Sequence, residues 1–586
     1  MQKNNSKLNS KILIISQLRS KFFETNNSHI LFLNEGCKLY KTNKEYKYEL
    51  YKNISVLNYK INSIDKNFSY LLKIYELLLE TLSVKLNKIH NLNYSEQYWR
   101  IIIGPWLFEF ISIIFYNWKA LKYINNNYSI KHVEIVKSKE LKTYFKDYND
   151  FSYSSITDEF NNIIYTDLLK YFKNIKIKYF FTNKKKNKTI KNKFLDYIIK
   201  FLDSLLLFNN LFFNKKFFFH ESYFNISLKY LLGIKIGQSF SLCKSPLFKE
   251  VSLKRKFREQ KLDYSHDTFM NVLSDLIFKY IPVSYLENFD NYQQKIKTIN
   301  WPKNPKIIFS SNSFIHDDFF KIWLVEKKKN SNSKFISGQH GGGFFISKFH
   351  FYEIHQKKIS DKILTWGYKK EGIYKPMFNF KTATKKIKFN NNGNLLMIDY
   401  ELSRFPGASL MYNNFSFLCH LNDKFNFVKN LNSNIRDKLV FRTYIHDFGW
   451  STLDRLKEIN SSIKIDRNKN VYVSLKNIRI CIVNLNSTVF LETLNLNLPT
   501  IIYFDPKQDL IRNDAKKYFD LLKKVNIYFD NSTAAAKHLN NIWNQVDKWW
   551  YNKKTQNSVN LFCENFSKRT NHPINELSIF FKNILK

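Results

Sequence analysis

Glycine and proline are scarce in this chain, 13 and 10 among 586 residues, and cysteine is scarcer still at five. The cysteines (Cys37, Cys243, Cys419, Cys481 and Cys563) are odd in number, far apart and without CxxC or Cys/His ligand spacing. That argues against a disulfide framework and against a zinc site. Acidic residues are in the minority, 49 against 93 lysines and arginines, which leaves a formal charge of +44. Such a balance ordinarily points to nucleic acid or an acidic membrane surface. Here the lysines are scattered, and the chain is rich in Lys, Asn, Ile, Phe and Tyr, residues with AT-rich codons. A compositional bias of the genome accounts for that pattern and for the lack of glycine and proline. There is no RRM, KH or zinc pattern, so no nucleic-acid partner is expected.

Long uncharged apolar runs are also missing. Residues 101–118 contain Gly104, Pro105 and Glu109, and residues 201–219 are broken by Asp203, three asparagines and two lysines. A span needs ~20 nearly uncharged residues, so both read as buried or interfacial segments. The apolar run at residues 12–15 is shorter than a signal-peptide core, and the expected location is the cytoplasm. With 44% hydrophobic residues the chain can bury at least two cores, because a single core stops growing at roughly 250 to 300 residues.

From residue 306 onward, short apolar runs alternate with helical patterns. Strands are expected at 307–309, 335–338, 362–367, 395–399, 439–444, 480–483 and 500–504. Helices are expected at 317–326, 415–431, 512–525 and 533–550, with a polar linker at 382–393. Strands alternating with helices imply parallel sheets covered on both faces, with the functional cleft at the carboxyl ends of the strands. The first part opens with strand-like 12–16 and 29–33 and then turns helical over 68–90 and 97–118. Residues 120–300 carry no recognisable motif, and the basic loop 184–193 reads as a solvated connection.

Four strand ends carry chemistry. Asn486-Ser487-Thr488 is a hydroxyl-rich corner between a buried strand and a helix, where free N–H groups and the helix dipole favour an anion. Glu492, about a turn into that helix, is placed to reach ribose hydroxyls. Arg442 and His446 follow one neighbouring strand, and Ser403 with Arg404 follows another, each a ligand set for phosphate. In the preceding domain a strand ends in Gly338-Gln339-His340-Gly341-Gly342-Gly343. The glycines let backbone approach a ligand, and His340 is expected to titrate in a range suited to proton transfer. The run matches neither the GxGxxG nor the GxxxxGK[ST] pattern, which excludes a Rossmann dinucleotide site and a Walker site. Asp317, beside His316 and Asp318, opens a helix and serves capping as well as it would serve catalysis.

The runs YWRIIIGPWL (98–107), GQHGGG (338–343), KILTWG (362–367) and the loop 442–450 together resemble a family of transferases encoded in bacterial surface-polysaccharide loci, including spirochaete O-antigen clusters. The matching pieces extend from residue 31 to residue 504. The resemblance implies two Rossmann-like α/β domains facing a cleft, as in GT-B glycosyltransferases, with an extra mainly helical N-terminal and middle region. It implies an acceptor-side domain at 1–385, a nucleotide-sugar donor domain at 386–545, and a helical segment at 546–586 packing back across the junction. Such enzymes usually work without a metal, in keeping with the lack of a DxD motif, and no cofactor is expected.

The function this implies is transfer of a sugar from a nucleotide-activated donor, with a CMP-sugar favoured as in capsule and Kdo transferases. The acceptor is a surface polysaccharide or a lipid-linked glycan, with peripheral contact to the inner membrane surface as a further expectation. His340 would deprotonate the acceptor hydroxyl, with Asp317 or Glu353 as substitutes. Arg404, Arg442, His446 and the Ser487/Thr488 corner would neutralise the departing phosphate. Polyol-phosphate transfer from a CDP-alditol is the alternative reaction, and a non-catalytic nucleic-acid binder is the distant one.

Overall fold

The computed structural model describes residues 10–20, 29–38, 54–57, 64–137, 144–181, 216–238, 244–263, 267–405, 414–444 and 448–585. Three parallel sheets organise them. The first is β1 (Lys11–Ile14), β2 (Ile30–Phe32), β3 (Ile54–Val56), β4 (Ile130–Lys137) and β5 (Ile177–Phe181), in the order β3-β2-β1-β4-β5. The second is β6 (Phe217–Phe219), β7 (Ile307–Ser310), β8 (Lys334–Gly338), β9 (Lys362–Thr365) and β10 (Tyr374–Pro376), in the order β10-β9-β8-β7-β6. The third is β11 (Asn394–Ile398), β12 (Leu439–Arg442), β13 (Lys464–Asp466), β14 (Ile478–Val483), β15 (Thr500–Tyr503) and β16 (Tyr528–Phe529), in the order β13-β12-β11-β14-β15-β16.

Most interior strands of the second and third sheets are runs of buried, largely apolar residues, such as Ile307–Ser310 and Thr500–Tyr503. A strand that is apolar on both faces is stable only when helices cover both, which is why these sheets are parallel and crossed over by helices. The α/β class and the second and third sheets accord with the sequence reading. The region expected to be mainly helical also builds a sheet of its own, around β1 and β4. Its strands are short, and β1 finds β4 only after the chain has run through two long helices, Ile64–His90 and Glu96–Asn127. Pairing at that sequence separation leaves no local signature.

The Glu96–Asn127 helix is the one helix among the described residues long and apolar enough to cross a membrane, and its apolar window is wholly buried within the protein. Glu109 in its middle is 3% exposed and accepts hydrogen bonds from Tyr148 Oη at 2.7 Å, Ser155 Oγ at 3.1 Å and Ser152 Oγ at 3.2 Å. A buried carboxylate with that many donors is what a protein core, and not a lipid phase, provides.

The last helices tie the second and third sheets together. In Lys553–Phe566, Phe562 packs on Phe490 and Phe519 of the third unit, with ring centroids 6.1 and 5.4 Å apart. In Pro573–Leu585, Phe581 packs on Phe217, Phe219 and Phe309 of the second sheet. Between them, Asn379 N donates to Lys568 O at 3.0 Å.

Candidate active site

The third sheet reverses its direction of growth between β11 and β14, since the chain adds β12 and β13 on one side and β15 and β16 on the other. At such a switch point the loops leaving the two strands diverge and open a crevice. Asp399 and Tyr400 leave β11, Arg442 to Tyr444 leave β12, and Asn486 to Thr488 leave β14, all on this edge. Facing them, the glycine loop leaves β8. Between the two sheets lies a cavity of about 520 Å³ whose lining includes His340, Gly342, His350, Arg442, Ser487 and Thr488. A second cavity of about 650 Å³ adjoins it, and His316, Tyr352, Tyr400 and Tyr444 line both.

The hydroxyl corner and the glycine loop are in contact, not on opposite walls of an open cleft. Gly342 N donates to Thr488 Oγ1 at 2.9 Å. A Cβ at Gly342 would lie 2.4 Å from Ser487 C, 2.5 Å from Ser487 O and 2.6 Å from Thr488 N, all backbone atoms that cannot swing aside. Gly343 follows with φ +84°, a left-handed conformation that a side chain would strain. Ser487 is the N-cap of the Thr488–Asn495 helix, but its hydroxyl makes no cap bond. It faces the cavity as a free hydroxyl at a helix N-terminus, where the dipole favours negative charge. Gly342→Ala is expected to push the loop off the corner and lower the thermal midpoint, since overpacking at a rigid contact costs roughly 1–3 kcal/mol. A calorimetric scan checks this, and a wild-type midpoint would show that the contact is dispensable.

His340 is partly buried, and its Nδ1 lies 3.2 Å from Ser311 O and 2.8 Å from Tyr223 Oη. The tautomer with the proton on Nδ1 satisfies the Ser311 carbonyl, which can only accept, with Tyr223 Oη sharing that hydrogen, and it leaves the lone pair of Nε2 for the cavity. Burial first, then the neighbouring His316 and Lys381, hold the imidazole at about 3 instead of the near-neutral range expected from the sequence. His340 is therefore neutral at physiological pH, with an accepting nitrogen on the side of the ligand cavity.

The other residues singled out from the sequence separate. Arg442 lines the cavity, with Nη1 held by Asp466 Oδ2 at 2.7 Å. Asn486 lines it too, its N–H on Asp509 Oδ2 at 2.9 Å and its Nδ2 on Ser347 Oγ at 3.1 Å. Ser403 and Asp317 line the second cavity. Asp317 caps the Asp318–Ser331 helix through Phe320 N at 3.0 Å and also accepts from Ser245 Oγ.

Three expected residues lie elsewhere. Glu353 is turned away from the chemistry: Phe345 N donates to its Oε2 at 2.8 Å and Arg512 Nη1 to its Oε1 at 2.8 Å, so both oxygens are occupied. Arg404 is not in the phosphate cavity, because its guanidinium is spent on Asp158 Oδ2 at 2.6 Å, Gly36 O at 2.9 Å and Phe448 O. Glu492 is buried beside Tyr472 and Lys381 Nζ, the latter at 3.8 Å, outside the cavity lining. His446 lies outside the described residues, as does the whole of the basic loop 184–193.

Sequence reading passed over His350 and Tyr223. His350 lines the first cavity, and its Nδ1 accepts from Glu353 N at 3.2 Å as the cap of the Phe351–Ile359 helix, which leaves the proton on Nε2. Burial and His340 hold it neutral at about 3. Tyr223, at the end of β6, steadies His340 while adopting φ +61°, strained for a non-glycine residue. Neither stands in a motif. Only the nearness of His350 to the glycine loop in sequence could have drawn attention to it.

Among the described residues no group of three or more His, Cys, Asp or Glu side chains is arranged to hold a metal ion. The arrangement can bind an anion at Ser487 and Arg442, accept a proton at His340 Nε2, and donate a hydrogen bond from His350.

No curated protein matches the chain. Among solved structures it is similar to a protein assigned as UDP-N-acetylglucosamine 2-epimerase from Listeria monocytogenes, at 10% identity over 54% of this chain and 84% of that one, with a TM-score of 0.34. It is similar to the spinosyn rhamnosyltransferase SpnG, at 9% identity over 50% and 77%, with a TM-score of 0.28. WaaG, a glycosyltransferase involved in lipopolysaccharide biosynthesis, follows at 9% identity over 56% and 88%, with a TM-score of 0.26. Scores this low carry no argument about activity. The profile of the LIC12162 family transferases, by contrast, matches residues 11–581, nearly the whole chain, and the protein belongs to that family of transferases.

Proposed function

We propose that this transferase moves a sugar from a nucleotide-activated donor to a hydroxyl of a glycan or lipid-linked glycan. The observation that carries the reading is the convergence, in one cavity, of the neutral His340 with its Nε2 lone pair and the uncapped Ser487 hydroxyl at a helix N-terminus, with Arg442 beside them. His340 Nε2 takes the proton of the acceptor hydroxyl as its oxygen bonds to the anomeric carbon. The bond from that carbon to the donor phosphate breaks, and the helix terminus, Ser487 and Arg442 hold the charge that develops on the leaving oxygen. Stabilising that charge is the larger contribution, because one preorganised donor is typically worth on the order of 100-fold in rate.

A CMP-sugar is the favoured donor. Arg442 is the only lysine or arginine among the described residues lining this cavity, and a CMP-sugar brings a single phosphate where UDP-, GDP- and CDP-linked donors bring two. The second cavity, opening beside His316 and Tyr352, takes the acceptor. The enzyme works in the cytoplasm, and its excess of basic residues suits an approach to the anionic inner membrane face where lipid-linked glycans are anchored.

Incubation with CMP-, UDP-, GDP- and CDP-linked donors and assay of nucleotide release test the reading, with turnover of CMP-sugars expected. Preferred release from a CDP-alditol would replace it with polyol-phosphate transfer. Ser487→Ala combined with Thr488→Val is expected to raise the dissociation constant of the nucleotide on the order of 10-fold, since hydrogen bonds to a charged group are each worth about 1.5–3 kcal/mol. Unchanged affinity in the folded double variant would remove the corner from the donor site.

A further inference from the structure

The second cavity has a composition unlike that of the chain around it. In a protein with 93 basic and 49 acidic residues, its lining includes Glu109, Asp147, Glu221, Asp317, Asp318 and Glu401 and, among the described residues, no lysine or arginine. Asp318 is paired with the buried Lys321 Nζ at 2.8 Å, whose charge also favours ionised Asp147 and Asp317, and Lys424 acts likewise on Glu401. Asp147 and Glu221 take their hydrogen bonds from neutral donors. Asp147 caps the Tyr148–Ser155 helix through Asp150 N, and Glu221 accepts from Asn312 Nδ2 at 2.9 Å and Ser313 Oγ at 3.0 Å.

Two further polar atoms in this wall, His316 Nδ1 and Asn312 Oδ1, are buried with no hydrogen-bond partner among the described residues. An unsatisfied buried polar atom is costly, and a bound ligand is one way to meet it. Tyr153, Tyr292, Tyr352, Tyr400 and Tyr444 supply flat faces around the same space. Crowding has a measurable consequence: burial and the neighbouring Asp318 push the Asp147 carboxyl up to about 6, and burial with Asp399 raises that of Glu401.

We infer that this cavity selects an acceptor rich in hydrogen-bond donors and free of negative charge, a neutral or amino-bearing sugar residue, and rejects phosphorylated or uronic sugars. The wall offers several carboxylate oxygens, which complement hydroxyl and ammonium groups, while a carboxylate or phosphate entering it would meet several like charges and no basic side chain among the described lining residues. Aromatic faces suit the apolar faces of a pyranose ring. The inference rests on the proposed glycosyl transfer for the acceptor's role. The charge preference of the cavity can nonetheless be measured by itself.

The full-length chain is titrated with the methyl glycosides of glucosamine, glucose and glucuronic acid and with glucose 6-phosphate, by saturation-transfer difference NMR. Nucleotide binding is measured on the same samples. The glucosaminide and the glucoside are expected to bind, and the two anions to bind at least about 5-fold more weakly, the discrimination of one like charge at contact distance in high dielectric. In Glu221→Gln combined with Asp147→Asn, substitutions that keep the hydrogen-bonding shape, the preference for the glucosaminide over the glucuronide should shrink by a similar factor, with nucleotide binding unchanged. Equal or tighter binding of the anionic sugars, a preference untouched by the double variant, or no binding of any glycoside would overturn the inference. Loss of nucleotide binding in the wild-type chain with the glycoside preference intact would instead sink the donor reading and leave this cavity as a sugar site.

Discussion

His340→Gln is expected to lower turnover by about 10²- to 10⁴-fold, the range for removing a positioned general base. Glutamine retains a side-chain donor for Ser311 O but has no basic lone pair to offer the acceptor. The nucleotide dissociation constant and the thermal midpoint should stay near wild type, because the proposed phosphate ligands Ser487 and Arg442 are untouched. A fall in activity that merely follows a fall in folded fraction would assign His340 a structural role.

The pH dependence carries the same information. Burial holds the free imidazole at about 3, so it stays unprotonated, and competent as a base, throughout the neutral and mildly acidic range. The acid limb of kcat/KM attributable to His340 should lie well below the ordinary histidine value of about 6.5. Bound donor phosphate adds negative charge to the same cavity and favours the imidazolium, so the limb in kcat should sit above that in kcat/KM. A limb in kcat/KM at about 6.5 would contradict a histidine held neutral by its surroundings.

Arg404→Ala is expected to destabilise the chain by roughly 3–5 kcal/mol, the cost of leaving one partner of a buried ion pair alone. Arg404 and Asp158 are 5% and 9% exposed and join the third unit to the first. Asp158 also accepts from Gln17 N at 2.8 Å, and Gln17 Nε2 reaches Gly449 O at 3.0 Å, so the loss would loosen a whole clasp beyond the carboxyl end of β1. Arg404→Met with Asp158→Asn should be milder than Arg404→Ala, since it removes the charge together with its counterion. Denaturant unfolding followed by fluorescence and by nucleotide affinity separates the two roles considered for this arginine. Stability unchanged with nucleotide binding lost would return Arg404 to the phosphate site.

The contrast between Arg404 and Ser487 shows how far local reading reaches. Both follow strands of one sheet on one edge, and the sequence treats them alike as anion ligands. Ser487 does face the cavity, because a polar corner between an apolar strand and an amphipathic helix has its direction built into the backbone. Arg404 has a long side chain that can turn either way, and a carboxylate 246 residues earlier in the chain decides its direction. Glu353 went the same way, drawn to Arg512 across 159 residues. Tyr223 was missed for the converse reason: it meets His340 across 117 residues and carries no motif.

The alternation of buried apolar runs with helical periodicity was legible over most of residues 306–550, because strand and helix preferences are properties of neighbouring residues. The hydroxyl corner and the glycine loop were legible too, since their chemistry lies in consecutive side chains. The first sheet, the contact that closes the glycine loop on the corner, the partners that occupy Arg404 and Glu353, and the low basicity of His340 were decided by the tertiary structure. Burial and pairing depend on what the folded chain brings from a distance, and a carboxylate or a carbonyl arriving from another sheet determines whether a polar side chain binds a ligand or holds the protein together.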